Sequence, residues 1–292
     1  MPSSVRDVPD GPKCDGGLLV LPKVIKGYED HGFHVDLGNP SRLYATLREQ
    51  STGAEQGCGG GISVTDLALF TGLARVLSPS AIFVIGNAFG YSTFTLAELF
   101  PFAIVDAIDA ECEGAENARG SELTRRIAAS NYPNVSLTIG YSPQDLRRAM
   151  RSPSYQLAFV DGLHTPEQMV ADYLGLEPFL DEASVVVFHD VALCRMTSAW
   201  AEILTLAEPH GFSGYEMAFT QFGLCVLIRG LVDAERYVES ISAGFENHNY
   251  HLGVPPPEAP PPRRSRFKSL WTKSPQEVVE FLKRRVNAAG RR

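Results

Sequence analysis

The run Ser80-Ala-Ile-Phe-Val-Ile-Gly-Asn-Ala-Phe-Gly-Tyr-Ser-Thr93 constrains this chain more than any other segment. Ala81 to Ile85 are apolar without a break, the pattern of a strand buried on both faces of a parallel sheet. Phe94-Thr-Leu-Ala-Glu-Leu99 then takes helical spacing. Between them, Gly86 and Gly90 allow close approach of the main chain. Strand, glycine turn and helix in that order are how an α/β fold presents backbone to a ligand. The Gly-x-x-x-Gly spacing lacks the middle glycine that seats a pyrophosphate on the helix N-terminus of dinucleotide folds, so an adenosyl ligand without phosphates fits better.

The next strand, Ala103-Ile-Val-Asp-Ala-Ile-Asp109, ends in an acid about twenty residues beyond the turn, where it can accept hydrogen bonds from both hydroxyls of a ribose. Alternation then continues: a helix near 114–129, a strand Asn134 to Ile139, a helix Pro143 to Met150 and a strand Gln156 to Val160. A helix from Pro166 to Phe179, a strand Ser184 to Phe188 and a helix near 196–208 complete the series. Repeated βα units imply a parallel sheet with helices on both faces. Tyr215 to Phe219 and Gly223 to Arg229 are too close together for a parallel crossover and predict an antiparallel hairpin. The expected fold is a Rossmann-like α/β fold, with a seven-stranded, mostly parallel sheet closed by that hairpin. Ahead of it, Ser63 to Leu77 has capping residues and then helical spacing.

With these motifs in this order, the chain resembles the class I S-adenosylmethionine (SAM)-dependent methyltransferases over roughly residues 62 to 230. Within that class it is similar to the catechol and macrolide-sugar O-methyltransferase group. The resemblance implies SAM as cofactor, held around Gly86, Asn87, Ala88, Phe89, Gly90, Ser92, Asp109 and Asp161. It also gives an adenine-binding role to Ser142, with Tyr141 beside it, in the turn Gly140-Tyr-Ser-Pro-Gln-Asp145. A helix-capping serine is the alternative there.

Two later strand ends carry Asp161-Gly-Leu-His164 and His189-Asp190. Metal-dependent members of the group place an acid after strand four and an acidic or amide pair after strand five around Mg²⁺, which by position gives Asp161, His189 and Asp190. The Asp-x-x-His spacing likewise implies His164 as general base. His189 departs from the pattern, because Mg²⁺ prefers oxygen whereas imidazole suits Mn²⁺, Fe²⁺ or Zn²⁺. Two alternatives stay open: Asp161 and Asp190 hold Mg²⁺ or Mn²⁺ while His189 faces elsewhere, or the site is metal-free and His164 and His189 act as bases.

Composition sets the outer limits. With 292 residues and 44% hydrophobic content the chain can form one sizeable domain with extensions. No stretch is long and apolar enough for a membrane span, and Met1 to Asp7 has no signal-peptide pattern, so a cytoplasmic location is expected. Cys14, Cys58, Cys112, Cys194 and Cys225 are odd in number and form no Cys-x-x-Cys pair; free thiols are expected, with Cys225 in the core. Residues 263 to 292 carry ten Lys or Arg against two Glu, so a chain of net charge −8 has a body of −16 ahead of that tail. Such a body argues against nucleic acid as a partner.

The expected organisation is an N-terminal cap or lid over 1–61, which shows little periodicity before Ser41 to Arg48 and ends at Gly57-Cys-Gly-Gly-Gly61. The methyltransferase domain follows over 62–230, then a helix and polyproline linker over 231–262, and a basic amphipathic tail over 263–292 expected to dock on the body or on a subunit of a homo-oligomer, with contact to an acidic protein or a membrane surface as the alternative. The expected activity is O-methylation of a small-molecule hydroxyl, on a sugar or secondary metabolite. N-methylation or other SAM chemistry, and a non-catalytic SAM-binding protein, are the competing readings.

Overall fold

The computed structural model describes residues 21–36, 45–56, 61–112 and 114–245. The polyproline linker, the basic tail, Cys14, Cys58 and residues 57–60 of the glycine run lie outside the described residues. In chain order the elements begin with α1 (Pro22–Glu29) and a small antiparallel sheet of β1 (Phe33–Asp36), β2 (Thr46–Glu49) and β3 (Glu55–Gln56). Then come α2 (Val64–Val76), β4 (Ala81–Ile85), α3 (Tyr91–Leu99), β5 (Ile104–Asp109), α4 (Ala115–Asn131), β6 (Val135–Ile139) and α5 (Leu146–Ala149). The rest are β7 (Tyr155–Val160), α6 (Pro166–Leu176), β8 (Leu180–Phe188), α7 (Thr197–Ala207), β9 (Ser213–Met217), β10 (Leu224–Arg229) and α8 (Val232–Ile241).

Seven strands form one sheet in the order β6-β5-β4-β7-β8-β10-β9. The first five are parallel, and β10 enters antiparallel between β8 and β9. This is the expected mostly parallel sheet closed by an antiparallel hairpin. The order reverses between β4 and β7, so a crevice opens beyond their carboxyl ends. All five residues of β4 are at most 3% exposed, as a central strand covered on both faces requires. Each large aliphatic side chain so buried contributes about 1.5 to 3 kcal/mol.

Local chemistry sets the element ends. Ser63 Oγ accepts the Asp66 amide at 3.2 Å while Asp66 Oδ2 accepts the Ser63 amide at 2.6 Å, a reciprocal cap that starts α2. The helix expected over Pro143 to Met150 is a single turn, Leu146–Ala149, because Asp145 Oδ2 takes the Tyr141 amide and holds the preceding residues in a turn. The helix expected to reach Phe179 ends at Leu176 and finishes as a 3₁₀ turn containing Pro178, which has no amide to donate. β8 starts at Leu180, ahead of the expected Ser184.

Three contacts tie the flanking elements to the rest of the fold. Tyr28 of α1, fully buried, donates its hydroxyl to the Phe89 carbonyl at 2.8 Å. Arg119 of α4 reaches Glu49 of β2 at 2.8 Å and Gln56 of β3 at 3.1 Å. At the other end of the chain, Tyr237 of α8 fills the space left by Gly72 of α2, where an added Cβ would lie 2.0 Å from the tyrosine ring. Cys225 is fully buried, as expected. No helix among the described residues is long and apolar enough to cross a membrane.

Candidate active site

The turn after β4 is held by the main chain and by an acid from the next strand. Asp109 Oδ2 accepts the amides of Asn87 and Ala88, both at 2.8 Å, and Oδ1 accepts those of Glu111 (2.7 Å) and the Asn117 side chain (3.3 Å). The structure thus brings Asp109 to the glycine turn, where four N–H donors fill its carboxylate. Asn87 is committed inward through Thr93 Oγ1 at 2.9 Å and Thr124 Oγ1 at 3.0 Å. Phe89 is 1% exposed and meets the Phe33 ring edge-on, so both side chains are committed to packing inside the fold. Ala88 adopts φ +46°, Gly86 +88° and Gly90 +84°. A Cβ on Gly86 would lie 1.9 Å from the Asp161 carbonyl. Ser92 is buried in the first turn of α3.

On the far side of β5, the Gly140 amide bonds the Asp109 carbonyl at 2.9 Å, bringing the Tyr141–Ser142 turn next to the glycine turn. Gln168 of α6 donates to the Ser142 carbonyl at 2.8 Å and to Asp172 Oδ1 at 2.7 Å. Burial pushes the Asp172 carboxyl up to about 7, against the nearby Ser142 and the Gln168 hydrogen bond, which favour its charged form. Asp172 and Gln168 escaped the sequence reading because they lie within a helix, Gln168 in its first turn, and not at a strand end.

The third group stands at the ends of β7 and β8. The Asp161 amide bonds the Ile85 carbonyl at 2.8 Å and the His189 amide the Val160 carbonyl at 3.0 Å, so the strand ladder itself aligns the two residues. His189 Nδ1 faces Asp161 Oδ1 at 3.0 Å and Asp190 Oδ1 at 3.4 Å. Its Nε2 faces Asp66 Oδ2 at 3.3 Å. The edges of Phe159 and Phe222 fix the ring plane, with centroids 5.6 and 5.2 Å away. His164 Nε2 lies 3.1 Å from Asp161 Oδ1 and 3.3 Å from Asp190 Oδ2, with 40% of its side chain exposed. All four residues expected from the sequence converge, and Cys194 also approaches His164 and Asp190 within 4.8 Å.

Asp66 is the residue that sequence reading missed here. Its capping box is legible, but the contact with His189 spans 123 residues. Asp190 adopts φ +57°, a left-handed conformation that non-glycine residues hold mainly where surrounding structure enforces it.

Three carboxylates and two imidazoles in so small a volume shift one another. Burial alone would raise Asp161, but His189 and His164 hold it well below the usual carboxylate range. Burial opposes charge on His189 as well, yet Asp161 and Asp66 raise it well above the ordinary histidine value. His164 is raised against burial by Asp161 and Asp190. Burial, with Asp161 adding to it, raises Asp190, and burial beside Asp190 pushes the Cys194 thiol up to about 11.

Residues 83–191 match the family model described as a methyltransferase domain. A curated relative, an uncharacterized protein of Sinorhizobium fredii, is 29% identical over 188 residues, 56% of this chain, and the chain spans 20% of that protein's length. Among solved structures, the O-methyltransferase of tomaymycin synthesis from Streptomyces achromogenes, in complex with SAM, is 20% identical, with 58% of this chain and 81% of that chain covered at a TM-score of 0.47. An O-methyltransferase from Bacillus cereus in complex with SAH is 14% identical, covering 58% and 83% at 0.47. The family match spans β4 to the end of β8, the part of the sheet where order reverses and both residue groups meet. In that match and that strand order, residues 83–191 are similar to a methyltransferase domain.

Proposed function

We propose that the domain transfers the methyl group of SAM to a hydroxyl of a small molecule, a sugar or another secondary metabolite, with His164 as proton acceptor. The observation that carries this reading is the position of His164: half-open to solvent, its Nε2 backed by two carboxylates, on the β7 loop beside the glycine turn. An imidazole there can take the proton of an arriving hydroxyl and leave the resulting cation beside Asp161 and Asp190.

The acceptor oxygen attacks the methyl carbon, the carbon–sulfur bond breaks and its electron pair stays on sulfur. The sulfonium becomes the neutral thioether S-adenosylhomocysteine (SAH), and the hydroxyl proton goes to His164. Asp109, with the Asn87–Ala88 turn that it holds in place, would form the ribose end of the proposed cofactor site, and the Tyr141–Ser142 turn the adenine end. The protein's main contribution is alignment and exclusion of water.

A divalent ion would be held by Asp161, His189 and Asp190. These residues fit an ion: Asp190 is 9% exposed, and its Oδ1 has no hydrogen-bond partner among the described residues. When bound, the ion would lower the pKa of a coordinated hydroxyl and orient it.

The test is His164→Ala in the full chain, with SAH affinity measured by calorimetry and methyl transfer from labelled SAM to a panel of hydroxyl acceptors. Turnover should fall by roughly 10² to 10⁴ with SAH affinity unchanged, since a general base acts on the transition state. Turnover equal to that of the parent protein would remove His164 from the reaction.

A further inference from the structure

We propose that Asp66 is a positioning residue that turns His189 Nδ1 toward a metal ion, and that the site therefore selects a nitrogen-accepting divalent ion of the Mn²⁺, Co²⁺ or Zn²⁺ class over Mg²⁺. The inference rests on the metal-assisted reading of the same site and adds a residue from outside the strand ends.

Asp66 is fully buried, at the third position of α2. Its Oδ2 already accepts the Ser63 amide at 2.6 Å, which commits that oxygen to the role of acceptor. A neutral His189 then has two arrangements. A proton on Nδ1 leaves the Nε2 lone pair against the Asp66 carboxylate. A proton on Nε2 satisfies Asp66 at 3.3 Å and leaves the Nδ1 lone pair facing Asp161 and Asp190. With a cation at Nδ1, only the second arrangement satisfies both ring nitrogens, and it is the carboxylate–histidine–metal relation in which an outer acid fixes the ligand's tautomer. The flanking Phe159 and Phe222 edges hold the ring in that plane.

The donor spacing agrees. Nδ1 lies 3.0 Å from Asp161 Oδ1 and 3.4 Å from Asp190 Oδ1. Neighbouring donors around an ion with bonds of roughly 2.1 Å stand about 3.0 to 3.4 Å apart. Asp190 Oδ1, in a residue held at φ +57°, has no hydrogen-bond partner among the described residues. One imidazole among two carboxylates suits borderline ions, whereas Mg²⁺ favours oxygen and retains water.

The experiment is a Co²⁺ titration of the metal-stripped full-length protein, followed by visible absorption. One Co²⁺ should bind per chain and resist a hundredfold excess of Mg²⁺. Asp66→Asn keeps an oxygen for the Ser63 amide and should weaken Co²⁺ by about 10- to 100-fold with SAH affinity unchanged. Ser63→Ala breaks the same cap alone and should leave Co²⁺ affinity as it was. His189→Asp should reverse the preference toward Mg²⁺. In the Zn²⁺-loaded parent protein, nitrogen-15 spectra should place the His189 proton on Nε2, a readout that needs no variant. Absence of Co²⁺ uptake at millimolar concentration, displacement by equimolar Mg²⁺, a proton on Nδ1 in the Zn²⁺-loaded protein, or equal losses in Asp66→Asn and Ser63→Ala would each overturn the proposal. Each of these leaves the His164→Ala comparison of turnover with SAH affinity intact, so failure here is separable from failure of the methyl-transfer reading.

Discussion

The glycine turn after β4 and the cluster beyond β7 and β8 share one edge of one sheet, yet they are built from different material. At the turn the working groups are peptide amides, and Asp109 is saturated by four N–H donors. At the cluster the working groups are side chains: two imidazoles face three carboxylates, and Asp66 Oδ1 and Asp190 Oδ1 are buried without hydrogen-bond partners among the described residues. Saturation makes the turn stiff and tolerant of little. Under-satisfaction makes the cluster receptive, because a proton, an ion or a substrate oxygen can still complete it.

The two regions touch at Gly86, and the largest expected effect comes from there. Gly86→Ala meets both the +88° backbone and the Asp161 carbonyl at 1.9 Å. Relaxation would have to move the turn and the cluster together. A loss on the order of 4 kcal/mol or more is expected, read as a fall in melting temperature with SAH binding and turnover lost together. A variant that lost turnover and kept SAH affinity would break the claim that the two regions share this joint.

Asp109→Ala probes the turn alone. It orphans the buried Asn87 amide together with that of Ala88, each worth about 1 to 3 kcal/mol, and should weaken SAH at least tenfold by calorimetry. Unchanged SAH affinity would mean that the turn holds its shape and its ligand without the acid.

Close to the Tyr141–Ser142 turn stands one group that titrates awkwardly. Asp172 in the folded chain stands at about 7, against 3.8 for an ordinary aspartate. Below about pH 4 both folded and unfolded chains carry the proton. As pH rises the unfolded chain releases it first, so stability falls with rising pH until the folded carboxyl ionises near 7. Asp172→Asn should flatten this slope, by about 2 kcal/mol between pH 5 and 7 in denaturant titrations. A slope unchanged by the substitution would assign the pH response to the histidine cluster instead.

The smallest effect tests how far the turn depends on its surroundings. Tyr28→Phe leaves the Phe89 carbonyl without the hydroxyl that reaches it from α1. About 1 kcal/mol of stability should be lost, with SAH affinity falling less than twofold if Asp109 alone sets the turn.

The same contrast explains what the sequence made legible. Gly86, Gly90 and Asp109 are separated by one βα unit and follow an apolar strand, so spacing alone brings them together. Asp161, His164, His189 and Asp190 were found because a parallel sheet aligns its strand ends, and the β7 to β8 ladder does so through Val160. Asp66 had no such signal: its local pattern reads fully as a helix cap, and only the packing of α2 against the sheet turns that carboxylate toward His189. The one-turn α5 was misjudged for the reverse reason, since Asp145 spends its carboxylate on the Tyr141 amide, a choice that helical periodicity does not record.

The packing of Tyr237 into the gap at Gly72 has a bearing on genetics. Asp66 and Gly72 ride on the same helix, and α8 lies against that helix through Tyr237, whose hydroxyl also reaches the Ala68 carbonyl at 3.3 Å. A side chain at Gly72 would have to displace the Tyr237 ring, loosening the contact of α8 with the helix that carries Asp66. In a survey of variants, changes at Gly72 and Tyr237 could therefore be scored with those of the proposed site, though neither residue belongs to it.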